Sequence, residues 1–248
     1  MEGPSLFILK EEAQAFIGKK IVHVSGNSKI DQHLLENQKI TDLKSWGKHF
    51  IICFPNFFVR IHFLMFGSYR INEEKNLSPR LTLQFKNGKM NFYSCSVKII
   101  NQQPEDVYDF ETDVMSASWN ASKAIRVLKG KKTALLCDAL LDQNIFSGVG
   151  NIIKNEVLFR IRLHPETSIA ALGAVRLREL VKTASDYSFD FFEWKKIYQL
   201  KKHWLIYRKK NCPRCDTAVR VARTGFTNRL SYFCPNCQPL LVAKKRIK

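Results

Sequence analysis

Two short cysteine pairs carry the plainest chemistry in this 248-residue chain. Cys212-Pro-Arg-Cys215 and Cys234-Pro-Asn-Cys237 are separated by 18 residues. Each pair can present two thiolates from one tight turn, with Pro213 and Pro235 helping to fix the turns, and two such turns complete a tetrahedral set of sulfur donors. That set suits one zinc ion. Four sulfurs leave no open coordination position, so the metal is expected to hold structure rather than to catalyse. Between the pairs, VRVARTGFTNRLSYF reads as a β-hairpin turning near Gly225 to Arg229, whose tip carries Arg223 and Arg229 and suits a phosphate backbone. Cys53, Cys95 and Cys137 lie singly among apolar neighbours and are expected to be buried thiols.

Two further stretches invite a chemical reading. The chain opens Met1-Glu2-Gly3-Pro4, an amine beside a carboxylate with a stiff dipeptide behind it. Residues 140 to 165, LLDQNIFSGVGNIIKNEVLFRIRLHP, read as a helix ending at Gln143-Asn144, a turn containing Gly148 and Gly150, and a new helix opening at Asn151. Paired glycines allow close backbone approach, and a helix N-terminus offers N–H groups and a positive dipole end to an anion. Packing alone also accounts for such a turn; the basic ribbon that follows favours the anion.

The elements that position these residues divide the chain. Residues 5 to 17 place Leu6, Leu9, Ala13, Phe16 and Ile17 on one helical stripe, with Ser5 available as a cap and Gly18 as a stop. The period then becomes two through KIVHV, HFIICF, FFVRIHF, RLTLQF and KMNFYS, with Asn87-Gly88 as a hairpin signal. Residues 1 to 115 are therefore expected to form an N-terminal helix and a two-layer antiparallel β-sandwich. Residues 116 to 120 read as a linker. Helical patterns follow at 120 to 129, 133 to 141, 151 to 160 and 168 to 186, giving a helical domain over 121 to 205 and the zinc-finger hairpin over 206 to 248. The fold class is α+β and multidomain.

Charge narrows the partner. Lys and Arg number 40 against 22 Asp and Glu, a net +18, and residues 195 to 248 hold 15 Lys and Arg against the single acid Asp216. A polyanion is implied, either nucleic acid or an anionic membrane surface. Trp204, Tyr207, Phe226, Tyr232 and Phe233 interleave with the charges, as in a folded segment rather than a solvated tail. No run approaches the roughly 18 to 20 apolar residues needed to cross a bilayer, and residues 1 to 20 lack a signal-peptide layout. The chain reads as soluble and intracellular.

The stretch at 140 to 165 resembles the helix-two-turn-helix of the formamidopyrimidine-DNA glycosylase and endonuclease VIII family, whose members follow it with a four-cysteine zinc finger. MEGP at the start, GKH at 47 to 49, HFLMFG at 62 to 67 and RLSYFCPNCQ at 229 to 238 match family signatures in the same order, so the resemblance spans the chain. It implies removal of oxidised bases from DNA. In that chemistry an N-terminal amine attacks C1′ of an extruded nucleotide, forms a Schiff base and cleaves the strand by elimination. An α-amine, with pKa about 7.7 to 8.0 against about 10.4 for lysine, keeps a usable neutral fraction.

Residue by residue, the resemblance gives Met1 as nucleophile, Glu2 as acid/base, Lys48 near the scissile sugar and phosphate, and Arg229 on phosphates around the lesion with a role in the last elimination. It gives Asn151 as a phosphate ligand, His62 as a DNA contact, and Leu64, Met65 and Phe66 as wedges filling the space of the flipped base, Met65 foremost. For Met65 a core position, and for His62 a buried structural role, are the alternatives. The implied partner is damaged double- or single-stranded DNA and no membrane, bound by a monomer in the nucleoid or cytoplasm of a bacterium or the nucleus of a eukaryote. MEGP leans toward the endonuclease VIII branch.

Two positions depart from the family. Its usual nucleophile is a proline exposed by removal of the initiator Met; here Met1 stands before Glu2, and the size of Glu2 predicts that Met1 is retained. Ser5 replaces a frequent glutamate. Two readings follow: a bifunctional DNA glycosylase/abasic-site lyase using a primary amine, or a lesion- or abasic-site-binding protein with weak or lost glycosylase activity. A basic zinc-ribbon transcription or RNA-binding factor accounts for charge and cysteines but leaves the opening motif unexplained.

Overall fold

The computed structural model describes residues 1–243. They form two compact units, Met1–Asp109 and the chain from Phe110 onward. In the first, helix α1 (Gly3–Glu12) begins directly after Glu2, with Pro4 presetting the first turn. Ser5 lies inside this helix and is buried, so it does not cap it; Glu2 occupies the capping position instead. Leu6 and Leu9 point into the sheet core, and Gly18, at φ +75, follows a single 3-10 turn at Gln14–Phe16.

Six antiparallel strands follow: β1 (Ile21–Ser25), β2 (Asp42–Trp46), β3 (His49–Cys53), β4 (Phe58–Ile71), β5 (Leu81–Phe85) and β6 (Gly88–Ile100). Their spatial order is β1-β5-β6-β4-β3-β2. The two edges are joined through the segment that enters β2. Gly18 N–H donates to the Ile40 carbonyl at 2.8 Å, Ile40 N–H to Lys19 at 3.1 Å and Ile21 N–H to Gln38 at 2.9 Å. One continuous sheet thus supplies both walls of the expected β-domain, around a core that includes Phe16, Phe50, Phe54, Phe63, Phe85 and Phe92. The Asn-Gly signal marks a real hairpin, one residue displaced: Phe85 pairs with Gly88, so Lys86 and Asn87 make the turn. A short helix α2 (Pro104–Val107) precedes the end of this unit.

The second unit holds α3 (Ala121–Gly130), α4 (Leu136–Ala139), α5 (Asn151–Arg160), α6 (Ala174–Lys196) and the hairpin β7 (Arg220–Thr224) with β8 (Arg229–Phe233). Asn120 caps α3 by accepting from Lys123 N–H at 2.9 Å. The expected helix over 133 to 141 shortens to α4. The one over 168 to 186 starts after Gly173 and runs 23 residues, because Leu177, Leu180, Val181, Ala184, Tyr187, Ser188 and Phe191 keep a buried face at three- and four-residue spacing. Among the described residues no helix is long and apolar enough to cross a membrane.

Candidate functional site

In the first unit, the start of α1 sets Met1 and Glu2 in contrasting surroundings. Met1 is 41% exposed, whereas Glu2 is buried. The Glu2 carbonyl accepts from Ser5 N–H at 2.9 Å, which fixes its backbone, while its carboxylate makes no capping bond.

Lys48 sits in the two-residue turn that joins β2 to β3, closed by the Trp46–His49 pair and permitted by Gly47 at φ +55. Its carbonyl lies 3.2 Å from His62 Nδ1. His62, on β4, pairs across the sheet with His49, their rings edge-to-face at 5.1 Å. Burial lowers the His62 pKa, the bond to Lys48 opposes this, and the charges of Arg60, Lys48 and the Met1 amino group lower it further. Burial chiefly, with Arg60, His62 and Lys48, pushes His49 down to about 3. Both imidazoles are therefore neutral at neutral pH, beside a cluster of three cationic groups. An anion is the natural guest of such a surface.

The stretch expected to supply wedges is a bulge in β4. Phe63 pairs with Cys95 and Ser68 with Tyr93, so residues 64 to 67 oppose Ser94 alone. Leu64 is 53%, Met65 82% and Phe66 92% exposed, with Phe66 at φ +67. Met65 is therefore a surface residue, and the core alternative does not apply. Gly67 lets the strand rejoin the sheet, since a Cβ there would lie 2.7 Å from the Ser94 carbonyl and 2.9 Å from Phe63 Cβ.

In the second unit, Gln143 staples the glycine turn. Its Oε1 accepts from Gly148 N–H at 3.1 Å, and its Nε2 donates to the carbonyls of Leu141 and Val149 at 2.9 and 3.1 Å. Asn151 then opens α5, and its Nδ2 donates to the Leu230 carbonyl at 3.0 Å; its Oδ1 is buried without a protein partner. The fully buried Lys154 donates to the same carbonyl at 3.1 Å and to Ser231 Oγ at 2.9 Å, and Asn155 Oδ1 accepts from Tyr232 N–H at 2.8 Å. One face of α5 thus fixes β8 immediately after the exposed Arg229. Lys154 and Asn155 escaped the sequence reading. The available signal was their position three and four residues after Asn151, which puts all three polar side chains on one face of the helix.

The four cysteines converge. Their sulfurs all lie within 4.8 Å of one another, with Cys212–Cys237 at 3.8 Å, Cys215–Cys234 at 3.5 Å and Cys215–Cys237 at 3.4 Å. A tetrahedral site with metal–sulfur bonds of about 2.3 Å has sulfur–sulfur edges of about 3.8 Å, so the donor set fits a metal ion. Arg214 and the packing around Phe159 tie the site to α5. Arg214 Nη1 donates to the Phe159 carbonyl at 2.7 Å and its guanidinium lies 4.1 Å from the Phe159 ring centroid, while Phe159 and Ile206 pack against Cys212 and Cys234. Cys53, Cys95 and Cys137 are buried as expected, and burial pushes the first two thiols up to about 12 and about 11.

The family models described as the formamidopyrimidine-DNA glycosylase N-terminal domain and H2TH domain match residues 8–96 and 111–187. The chain belongs to the formamidopyrimidine-DNA glycosylase and endonuclease VIII family. Its relatives lie on the endonuclease VIII-like branch. It is 37% identical over 215 residues to endonuclease 8-like 3 of Bos taurus, covering 83% of this chain and 35% of that protein. Against endonuclease 8-like 3 of Xenopus laevis it is 36% identical over 231 residues, 88% of this chain and 38% of that protein. Endonuclease 8-like 2 of Bos taurus is 34% identical over 200 residues, 75% of this chain and 59% of that protein. The chain therefore spans little more than a third of the length of the first two relatives. Among solved folds, the Lactococcus lactis formamidopyrimidine-DNA glycosylase bound to abasic-site DNA superposes with a TM-score of 0.84 at 20% identity, over 96% of this chain and all of that one. A viral DNA glycosylase gives 0.82 at 20% identity, with the same coverage.

Proposed function

We propose that this chain is a DNA repair enzyme that excises oxidised bases and cleaves the strand at the resulting abasic site. The Met1 amine attacks C1′ of the damaged nucleotide and forms a Schiff base, and Glu2 exchanges the protons that base loss and ring opening require. Lys48 and His62 serve the sugar and phosphate beside it, Leu64 and Met65 fill the space of the extruded base, and Asn151 and Arg229 hold the phosphates. Arg229 also assists the last elimination. Cys212, Cys215, Cys234 and Cys237 hold one structural zinc ion. The protein acts as a monomer on double- or single-stranded DNA. Three domains carry these roles: 1 to 115 the chemistry, 121 to 205 the helix-two-turn-helix and 206 to 248 the finger.

The observation that carries this reading is the exposed Met1 beside the buried Glu2, in a chain of a glycosylase family. A second reading, a lesion- or abasic-site-binding protein, is favoured by Met1 itself, whose nitrogen is primary where the family uses proline. A primary amine condenses with an abasic aldehyde more readily than it displaces a base. Borohydride trapping on abasic-site and oxidised-base oligonucleotides separates the two. The enzyme gives a covalent adduct with both, abolished by acetylating the terminus or by Glu2→Gln. Tight binding with no adduct supports the binding protein and removes the enzyme. Intact mass and N-terminal sequencing of the native protein report whether Met1 carries the amine.

A further inference from the structure

Phe226, at the tip of the β7–β8 hairpin, is 97% exposed. An apolar ring left in water forgoes one of the largest burial gains a side chain can make. The backbone beneath it is nonetheless tightly held. Asp138 in α4 accepts from Phe226 N–H at 2.8 Å, Thr227 N–H at 2.9 Å and Thr227 Oγ at 2.8 Å. Gly225, at φ +66, leaves the space that this carboxylate enters, for a Cβ there would lie 2.5 Å from either Asp138 oxygen. The tip is built to hold an aromatic ring out in solvent.

Its surroundings indicate what the ring meets. One face of the hairpin buries Thr224 and Ser231, and the other exposes Val221, Arg223 and Leu230. Arg229 opens β8 next to the tip, and no Asp or Glu occurs from Thr217 onward. Apolar and aromatic surface flanked by arginines, with no acid in the hairpin and the Asp138 carboxylate taken up by the tip's own backbone and Thr227, suits a strand of nucleic acid: the guanidinium groups meet phosphates and the ring meets a base.

We propose that Phe226 is a stacking surface for an exposed base of bound DNA, and that Asp138 is the positioning residue that holds the hairpin tip for it. This inference rests on the DNA-binding reading above. A rigid ring loses little freedom on stacking, and every base offers a face, so the contact adds affinity with little sequence preference.

The test uses the full chain with zinc bound and fluorescent single-stranded and duplex oligonucleotides carrying a tetrahydrofuran abasic analogue. Phe226→Ala weakens binding roughly five- to hundredfold, Phe226→Trp restores it, and the slope of log affinity against log salt stays unchanged because no phosphate contact is lost. Arg223→Gln, by contrast, lowers that slope by about 0.9. Asp138→Ala costs affinity when Phe226 is present and adds nothing in the Phe226→Ala background. Phe226→Ala binding within twofold of wild type, or a loss that Phe226→Trp does not restore, overturns the stacking role. Equal Asp138→Ala costs in both backgrounds overturn the positioning role. Wild-type binding that ignores salt overturns the DNA reading itself and this inference with it.

Discussion

Burial and the charges of Arg60, His62 and Lys48 push His49 down to about 3, and this has a thermodynamic consequence. The unfolded chain binds a proton at His49 near pH 6.5, whereas the folded chain resists it until about 3. Between those values the unfolded state holds more protons, so stability falls as pH falls below 6.5 and no such loss occurs above it. Wild-type protein loses roughly 2 kcal/mol more than His49→Gln between pH 7.5 and 5, because 1.5 pH units below the unfolded value are each worth about 1.36 kcal/mol. Urea unfolding at the two pH values measures this; equal losses would remove the argument. Lys154 makes a second case at this scale. Fully buried and bonded to Leu230 and Ser231, it is expected to cost about 2–5 kcal/mol on truncation to alanine, through lost volume and the loss of both hydrogen bonds. Residue-level chemistry was legible where ligands are sequence neighbours, as in the cysteine pairs. Asp138 and Lys154 were not, because their partners lie more than 70 residues away along the chain and nothing local announces them.

At the scale of elements, the β4 bulge separates stability from function. Met65→Ala at an 82% exposed site is expected to change unfolding free energy by less than about 0.5 kcal/mol while weakening binding to abasic-site DNA. Gly67→Ala drives a methyl group into the Ser94 carbonyl and is expected to cost about 1–3 kcal/mol. A paired set of thermal melts and binding isotherms distinguishes the two; equal destabilisation would mean that the bulge is part of the core. The strands with strong apolar alternation were legible, and the helix opening at Asn151 was placed correctly. β2 was not, because only Leu43 of its five residues is buried, and a strand with one inward apolar side chain has no period to read. Likewise α6 outran its expected end because its aromatic residues extend the buried face past the last aliphatic one.

For the molecule as a whole, the net charge of +18 and the four-cysteine cluster make separate predictions. DNA affinity is expected to fall with salt at a log–log slope of about −0.9 per neutralised phosphate. Removing the metal is expected to unfold the finger hairpin and the packing of Phe159 and Ile206 against Cys212 and Cys234, and to weaken DNA binding. The sheet of the first unit shares none of these residues, so its β signal in circular dichroism should survive chelation. Loss of that signal on chelation would contradict the division. The bulge in β4 also bears on how such a chain can change over generations. In an ordinary strand, inserting or deleting one residue turns every later side chain to the opposite face. Here four residues stand against one, and pairing resumes on both sides. A residue gained or lost between Leu64 and Gly67 is absorbed by the projecting segment, leaving Phe63 and Tyr69 in register. The tip that faces solvent can therefore be lengthened, shortened or rewritten by mutation while the walls that hold Glu2, Lys48 and His62 stay where they are.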